Sequence, residues 1–168
     1  TMPPSVAGIR SKMNLKSEFE RAGGRFFMGD TVVDAEFAED GTVKSVGTQN
    51  FGNIRLYADN FVLASGSFFS KGLIATPDRI YEPVFGVDLS YAEGRDQWFD
   101  RNFWKKQNYI SYGAKVSKFL HASIDGKPVA NLYAIGSLIS GSNTLYEGCG
   151  GGIALMTALA AADGILDK

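Results

Sequence analysis

The chain has 168 residues, of which 17 are basic and 18 acidic, so its formal net charge is −1. That balance gives no electrostatic reason to expect nucleic acid or an acidic polymer as a partner. A single cysteine excludes an internal disulfide and a cysteine-rich metal or iron–sulfur site, and it fits a reducing compartment. The sequence contains no signal-peptide pattern and no apolar run of the roughly 18 residues that span a bilayer.

The first thirty residues predict a helix and a short strand. Apolar residues spaced between charged ones indicate a helix over residues 11–22, and the glycines at 23 and 24 would end it. Residues 25–28 predict a strand. A glycine–aspartate turn would lead from this strand into the next segment.

Three short segments of alternating or β-branched residues come next. Asp40-Gly41 separates the first two and is a strong hairpin signal. We therefore predict a three-stranded β-meander over about residues 31–58. Its strands are residues 31–38, 42–48 and 54–57.

Residues 60–64 form a continuous apolar run of strand length. Such a run is typical of a strand buried on both faces, as in a parallel sheet. Residues 70–112 show no clear period, so we expect irregular structure and short helices there. The predicted fold class is α/β, with a mixed, partly parallel sheet, helices and the meander forming a single piece over residues 1–168.

The irregular segment contains a cluster of aromatic residues and lysines. Its members are Trp98, Phe99, Phe103, Trp104, Lys105 and Lys106. Aromatic rings beside lysines suit a partner or membrane-surface patch. A small satellite core under a long loop is the alternative, and the sequence favours it.

The most informative segment opens the last helix. Residues 131–136 indicate a short buried strand, and residues 147–152 (Glu-Gly-Cys-Gly-Gly-Gly) lead into the apolar residues 153–166. Three glycines in a first helical turn cost roughly 0.5 to 1 kcal/mol each relative to alanine. Close approach of a ligand to the backbone therefore explains them better than tight packing alone. Free amides and the helix dipole would favour negative charge there, so we predict a ligand-facing strand–turn–helix over about residues 131–167.

The order of these elements resembles that of flavoproteins with two dinucleotide-binding domains, which implies an FAD/NAD(P)-binding-type fold. More narrowly, several motifs are similar to those of B subunits of anaerobic glycerol-3-phosphate dehydrogenases. The motifs are Met2-Pro3-Pro4-Ser5, Gly8-Ile9-Arg10, residues 63–70 with Gly72-Leu73, Glu82-Pro83 with Gly86 and Asp88, and residues 147–152. No Gly-x-Gly-x-x-Gly fingerprint occurs. We therefore expect that the amino-terminal nucleotide-binding half is absent and that this chain is the carboxyl-terminal part of a longer protein.

The resemblance implies a flavin-dependent oxidoreductase subunit that uses FMN, with FAD as the alternative. Its family oxidises sn-glycerol 3-phosphate to dihydroxyacetone phosphate and passes electrons to the quinone pool in anaerobic respiration. The implied partners are a catalytic flavoprotein subunit and an iron–sulfur anchor subunit, at the cytoplasmic face of the inner membrane. Two alternatives stay open: a non-catalytic electron-relay or assembly subunit, and a flavin reductase of different substrate. We expect this chain alone to be inactive, to hold no cofactor tightly and to dimerise through exposed sheet edges.

If a flavin lies against the glycine turn, the amides of Gly151, Gly152 and Ile153 would face its pyrimidine carbonyl. The cofactor-binding residues predicted on this basis lie at strand ends and at the helix start. They are Ala64, Ser65, Gly66, Gly136, Ser137, Gly150, Gly151, Gly152 and Ile153. No metal site is predicted.

Other polar residues give weaker candidates. His121, the sole histidine, is a weak candidate for a general base, although residues 121–128 resemble a surface loop. Arg10 is a candidate for binding a substrate phosphate, with Arg79 and Arg95 as competitors. Cys149 is either a thiol with a pKa lowered by the helix start or, as the sequence favours, a small buried spacer.

Overall fold

The computed structural model describes residues 5–167, and the chain divides into two compact units between Thr31 and Val32. The single piece predicted over residues 1–168 stays a prediction. The Met2-Pro3-Pro4 part of the first motif lies outside the described residues.

The first unit contains one helix, α1 (Val6–Arg21). It begins five residues earlier than the sequence predicts, because the Ser5 hydroxyl caps it by accepting from the Gly8 amide at 3.0 Å. At its other end Gly23 adopts φ +88° and the Gly24 amide donates to the Phe19 carbonyl at 2.9 Å, as the paired glycines predict. The strand predicted at residues 25–28 is wrong, since that segment is irregular and pairs with no described strand.

The second unit starts with the predicted meander. Strands β1 (Val32–Phe37), β2 (Val43–Thr48) and β3 (Arg55–Tyr57) pair antiparallel in that order. The Asp40 carboxylate accepts from the amide and hydroxyl of Thr42 at 2.9 and 2.6 Å, which fixes the hairpin turn.

A second sheet of three strands is mixed, as predicted, and in it the chain's fourth, tenth and ninth strands lie side by side in that order. Its strands are β4 (Phe61–Leu63), β9 (His121–Ile124) and β10 (Lys127–Ala134). β10 is parallel to β4 and antiparallel to β9. Two sequence predictions fail here: β4 is not buried on both faces, since Val62 is 46% exposed on this outer strand, and His121 lies in a strand rather than in a loop.

Residues 70–112 are largely irregular, as expected. The segment contributes to two short two-stranded sheets: β5 (Ile74–Ala75) pairs with β6 (Ile80–Tyr81), and β7 (Leu89–Ser90) pairs with β8 (Gly113–Ala114). Each of the two interpretations of the aromatic cluster fits some of its residues. Trp98 is 8% exposed and belongs to the hydrophobic core, whereas Phe103 and Trp104 are on the surface.

The chain ends with helices α2 (Thr144–Glu147) and α3 (Gly150–Leu166). One stripe of α3 faces the rest of the unit, and Ala161 is its buried residue. β10 lies at the centre of the mixed sheet and contributes Leu132, Tyr133 and Ala134, which are fully buried. The two parallel strands β4 and β10 and helix α3 together position the candidate site.

Candidate functional site

The parallel strands β4 and β10 end side by side. Leu63 is the register partner of Ala134, and the Ile135 amide donates to the Leu63 carbonyl at 3.1 Å. Each strand is followed by a turn through a glycine of positive φ, Gly66 at +78° and Gly136 at +67°. A Cβ on Gly66 would lie 3.5 Å from the Ser137 hydroxyl oxygen, so the two loops meet. The predicted residues at the two strand ends are thus neighbours in the fold.

The loop after β4 is tightly built. A Cβ on Gly72 would lie 2.0 Å from the Gly66 carbonyl oxygen, which leaves no room for a side chain. The Ser70 hydroxyl donates to the Ser65 carbonyl at 2.7 Å and holds the loop closed. The Ser65 hydroxyl oxygen is itself buried and has no hydrogen-bond partner. A buried hydroxyl without a partner is uncommon and is a natural place for a ligand contact.

Helix α3 packs its first turns against the end of β10. The Gly136 amide donates to the Thr157 hydroxyl at 2.9 Å, and that hydroxyl donates to the Ile153 carbonyl at 2.6 Å. A Cβ on Gly136 would lie 4.0 Å from the Ala154 Cα. The strand, turn and helix therefore form one packed motif, in which the amino-terminal part of α3 contacts the turn that follows β10.

The glycine turn itself is open. Cys149 is the N-cap residue but its side chain makes no capping hydrogen bond. A Cβ on Gly150 would touch Thr144 at 3.6 Å, whereas one on Gly151 or Gly152 would meet nothing within 4 Å. The first amides of an α-helix have no partner within the helix. The turn therefore presents the backbone of Gly150, Gly151 and Gly152 at the positive end of the helix dipole.

One part of the predicted donor set is wrong. The Ile153 amide donates to the Cys149 carbonyl at 3.0 Å, because the helix is already long enough at this residue for a regular helical bond. Contact between Ile153 and a ligand would therefore involve its side chain. Contact of the Gly151 and Gly152 amides with a flavin stays a prediction.

Cys149 differs from both sequence interpretations. Desolvation and the nearby Glu147 carboxylate raise the pKa of the Cys149 thiol, so the predicted lowering by the helix start is wrong. The Cys149 Sγ lies 3.4 Å from Glu147 Oε2, where the thiol can donate its proton. The side chain is also only half-buried, not enclosed as a spacer.

Asn143 is a site residue that the sequence analysis missed. It is 1% exposed, and its Oδ1 accepts from the Tyr146 amide at 3.0 Å to cap α2. Its Nδ2 is buried without a partner. Asparagine is one of the preferred residues at a helix N-cap, and that preference would have indicated its capping role.

Arg10 and His121, the candidates for phosphate binding and for a general base, have surroundings unlike those of the glycine turn. Arg10 is exposed on α1, which belongs to the first compact unit. The His121 ring stacks on Tyr133 with centroids 4.4 Å apart, and the Tyr133 hydroxyl reaches the Gly164 carbonyl at 3.5 Å. Gly164 is about 20 Å along α3 from its glycine start, at 1.5 Å per residue. These contacts of His121 therefore lead toward the far end of α3.

The competing arginines have local contacts of their own. The Arg79 guanidinium lies over the Tyr81 ring at 5.0 Å. Arg95 lines an apolar cleft of about 210 Å³ together with Trp98 and Phe99. A larger cleft, of about 440 Å³, lies beside the meander turn between Asp40 and Lys127. Neither cleft includes the glycine turn among its lining residues.

A family of FAD-binding domains matches residues 1–153. The chain belongs to this FAD-binding domain family. Its relatives include the B subunit of anaerobic glycerol-3-phosphate dehydrogenase from three bacteria. The identity is 44% for Haemophilus influenzae (strain 86-028NP) and 42% for Pectobacterium atrosepticum, each over the whole chain, and 41% over 96% of the chain for Vibrio vulnificus (strain CMCP6).

Membership of the FAD-binding domain family confirms the resemblance found in the sequence and agrees with the α/β class. The chain spans about 40% of the length of the first of these relatives and 37% of the Vibrio protein. The family description supports a flavin, FAD in particular, whereas the first choice of FMN stays a prediction. Within residues 5–167 no helix is both long and apolar enough to cross a bilayer.

Proposed function

We propose that the glycine start of α3 and the ends of β4 and β10 form part of the flavin site of an oxidoreductase subunit. The observation that carries this proposal is the open backbone of Gly151 and Gly152 at a helix N-terminus. The FAD-binding family and the names of the relatives support it.

The residues of this site fit an isoalloxazine ring. A flat ring needs backbone without side chains, and a Cβ at either of two successive glycines would have free space around it. A ring that gains electrons also needs donors near its pyrimidine carbonyls, which the first amides of α3 supply.

A bound flavin would supply the hydride and electron chemistry. The chain's own residues would position the flavin and polarise its ring. The Gly151 and Gly152 amides stabilise negative charge at the helix start, and Thr157 anchors α3 to Gly136 so that these amides keep their direction. The residues Ala64, Gly66 and Ser137 are small, so they leave room for a cofactor to approach the strand ends.

The substrate we propose is sn-glycerol 3-phosphate, oxidised to dihydroxyacetone phosphate with electrons passing to the quinone pool. The support is the name shared by the relatives. Because those proteins are named as one subunit, we also propose a catalytic flavoprotein subunit and an iron–sulfur anchor subunit as partners, at the cytoplasmic face of the inner membrane. Binding of the substrate phosphate by Arg10 stays a prediction.

A second candidate function is electron relay without substrate oxidation, which the resemblance to a subunit of a larger complex leaves open. A relay subunit needs a positioned flavin but no general base. The two functions differ in whether substrate reduces the flavin directly.

Substitution of the open glycines tests the flavin site. We expect Gly151→Ala with Gly152→Ala, in the full-length polypeptide, to weaken flavin binding at least tenfold, about 1.4 kcal/mol. The same change should stabilise the fold by roughly 0.5–1 kcal/mol for each site, because alanine favours helix and meets no neighbour. Flavin absorbance after titration and chemical denaturation measure the two effects.

Gly164→Ala is the matched control, since it lies in the same helix and its Cβ would meet Tyr133 at an ordinary 3.9 Å. It should preserve flavin binding. Unchanged flavin affinity in the double variant would contradict the site. Anaerobic addition of sn-glycerol 3-phosphate then separates the two functions: bleaching without partner subunits supports the enzyme, and bleaching only with them supports the relay.

A further inference from the structure

A surface loop of aromatic and basic residues has no role in the site described above. We call residues 99–106 the aromatic tip. Phe103 is 80% exposed and Trp104 is 90% exposed, and their rings meet edge to face with centroids 5.4 Å apart. Phe99, which is half exposed, extends the same segment. Adjacent apolar rings turned to solvent are typical of an interaction site.

Hydrogen bonds within the loop hold the aromatic tip in shape. The Asp100 carboxylate accepts from the Asn102 amide at 2.8 Å, and the Asn102 side chain accepts from the Trp104 amide at 3.1 Å. Gln107 closes the loop by donating to the Asn102 and Lys105 carbonyls at 3.1 and 3.0 Å. Its Oε1 also accepts from the Asp100 amide at 2.9 Å. The rings are therefore presented by a preformed turn, which lowers the entropy cost of binding.

The charge of the aromatic tip is positive. The tip contains three basic residues and one acidic residue, namely Arg101, Lys105, Lys106 and Asp100. Its local net charge is therefore +2 in a chain whose net charge is −1. Lys105 lies 3.6 Å from Asp100 in an exposed ion pair. Interfacial aromatic rings flanked by basic side chains match the headgroup layer of an anionic bilayer.

The aromatic tip adjoins helix α2. The Lys106 ammonium lies 5.8 Å from the centroid of the Tyr146 ring, and both Tyr146 and Leu145 are well exposed. These two residues extend the apolar surface of the tip. α2 leads directly into the glycine start of α3, so this surface flanks the open backbone.

We propose that the aromatic tip is a membrane-contact element that inserts Phe103 and Trp104 among the headgroups of an anionic phospholipid bilayer. Arg101, Lys105 and Lys106 contact the lipid phosphates. An eight-residue tip is small for a protein interface, which buries about 20–30 residues a side. At an anionic lipid surface each basic side chain contributes about 1 kcal/mol, and the two rings add apolar contact. The inference is independent of the flavin proposal.

Tryptophan fluorescence reports on this loop selectively. Trp98 is buried and its indole nitrogen donates to the Ala92 carbonyl at 2.6 Å, so Trp104 is the residue whose emission a bilayer can shift. We expect the 168-residue chain, which has two tryptophans, to co-sediment with phosphatidylglycerol vesicles, with a blue shift in emission, and to bind phosphatidylcholine vesicles much more weakly. Trp104→Phe should keep binding and remove the shift.

Variants separate the apolar and the charged contributions. Phe103→Ser with Trp104→Ser should weaken vesicle partitioning more than tenfold. Lys105→Gln and Lys106→Gln should each weaken it about fivefold, with less effect at high salt. Phe119→Ser is the matched control, because Phe119 is an exposed ring beside Lys118 that has no aromatic neighbour on the tip, and it should change nothing.

Three results would overturn the proposal. The first is the absence of vesicle binding, and the second is equal binding to anionic and neutral vesicles. The third is a Trp104 emission that is already blue-shifted and protected from acrylamide without lipid. That last result would assign the aromatic tip to a protein interface instead. Each readout is obtained without substrate or flavin reduction, so failure here is distinguishable from failure of the flavin site.

Discussion

Glycines at the site have two different physical causes. At Gly72 a side chain would collide with the Gly66 carbonyl oxygen, so glycine is required by the chain's own backbone. At Gly151 and Gly152 the space is free, so the chain's own packing does not require glycine. The sequence predicts close approach of a ligand at Gly151 and Gly152, which stays a prediction, and it names Gly72 only within a family motif. It cannot distinguish the two causes, because the neighbour of Gly72 is set by the loop's three-dimensional path.

Among single residues, Cys149 gives a prediction about reactivity: its thiol should be alkylated slowly. Desolvation and the Glu147 carboxylate raise its pKa. The thiolate fraction therefore stays low until the pH exceeds the pKa of an ordinary thiol. We expect iodoacetamide to alkylate Cys149 more slowly at pH 8 than it alkylates the urea-unfolded chain. The pH midpoint of the alkylation rate should also lie higher in the folded protein.

Glu147→Gln should lower that midpoint and speed the reaction, because the repelling charge is removed. Glu39→Gln, at an exposed position after β1, serves as the control and should leave the rate unchanged. A folded-state midpoint below that of the unfolded chain would instead support activation by the helix dipole.

At the scale of elements, Asn131 links the meander to the mixed sheet. Its Oδ1 accepts from the Val43 amide at 2.9 Å, and its Nδ2 donates to the carbonyls of Val43 and Asp59 at 2.8 and 3.2 Å. One side chain thereby acts as a strand neighbour for the first residue of β2. Val43 is nearly fully buried, so its backbone groups would lack partners without this contact.

We expect Asn131→Ala to destabilise the second unit by about 2–3 kcal/mol, because buried polar groups are left unsatisfied. Chemical denaturation measures the loss, and hydrogen exchange at the Val43 amide should speed up selectively. Asn131→Asp keeps the acceptor but places a carboxylate against two carbonyls, so it should not restore stability. A loss below about 0.5 kcal/mol for the alanine variant would contradict a structural link.

Elements with a strong local signal are the ones that the sequence predicts well. The meander follows from its Asp40-Gly41 turn, and the last helix follows from its apolar run after Gly150. The predicted strand at residues 25–28 fails because β-like residues need a neighbouring strand, and the described residues provide none. The expectation of a loop at His121 is wrong because the turn at Asp125-Gly126 joins two strands, β9 and β10.

At the scale of the whole molecule, the contact between the loops after β4 and β10 follows from the sequence only through the general rule for parallel strands. The residues involved are far apart along the chain, and no local pattern links them. Their contact depends on the parallel pairing of β4 and β10. By contrast, the burial of Asn143 and the packing of His121 against Tyr133 depend on tertiary structure that the sequence does not reveal.

Helix α3 gives the last prediction. It is apolar on most of its circumference, yet only one stripe is packed, and Leu155 and Leu159 are 61% and 51% exposed. Helices that are apolar all round are normally buried, and these two leucines lie one turn apart on one outer face. We therefore expect the 168-residue chain to self-associate through this face, which light scattering over a concentration series would detect.

Leu155→Gln with Leu159→Gln should shift the chain toward the monomer, because an apolar leucine buried at an interface contributes about 1.5–3 kcal/mol. Leu15→Gln on α1, a similarly exposed leucine in the first unit, is the control and should leave the association unchanged. If Val62→Lys on the outer strand β4 disrupted the dimer and the α3 variant did not, the contact would be through sheet edges instead. A strictly monomeric chain at high concentration would contradict both modes.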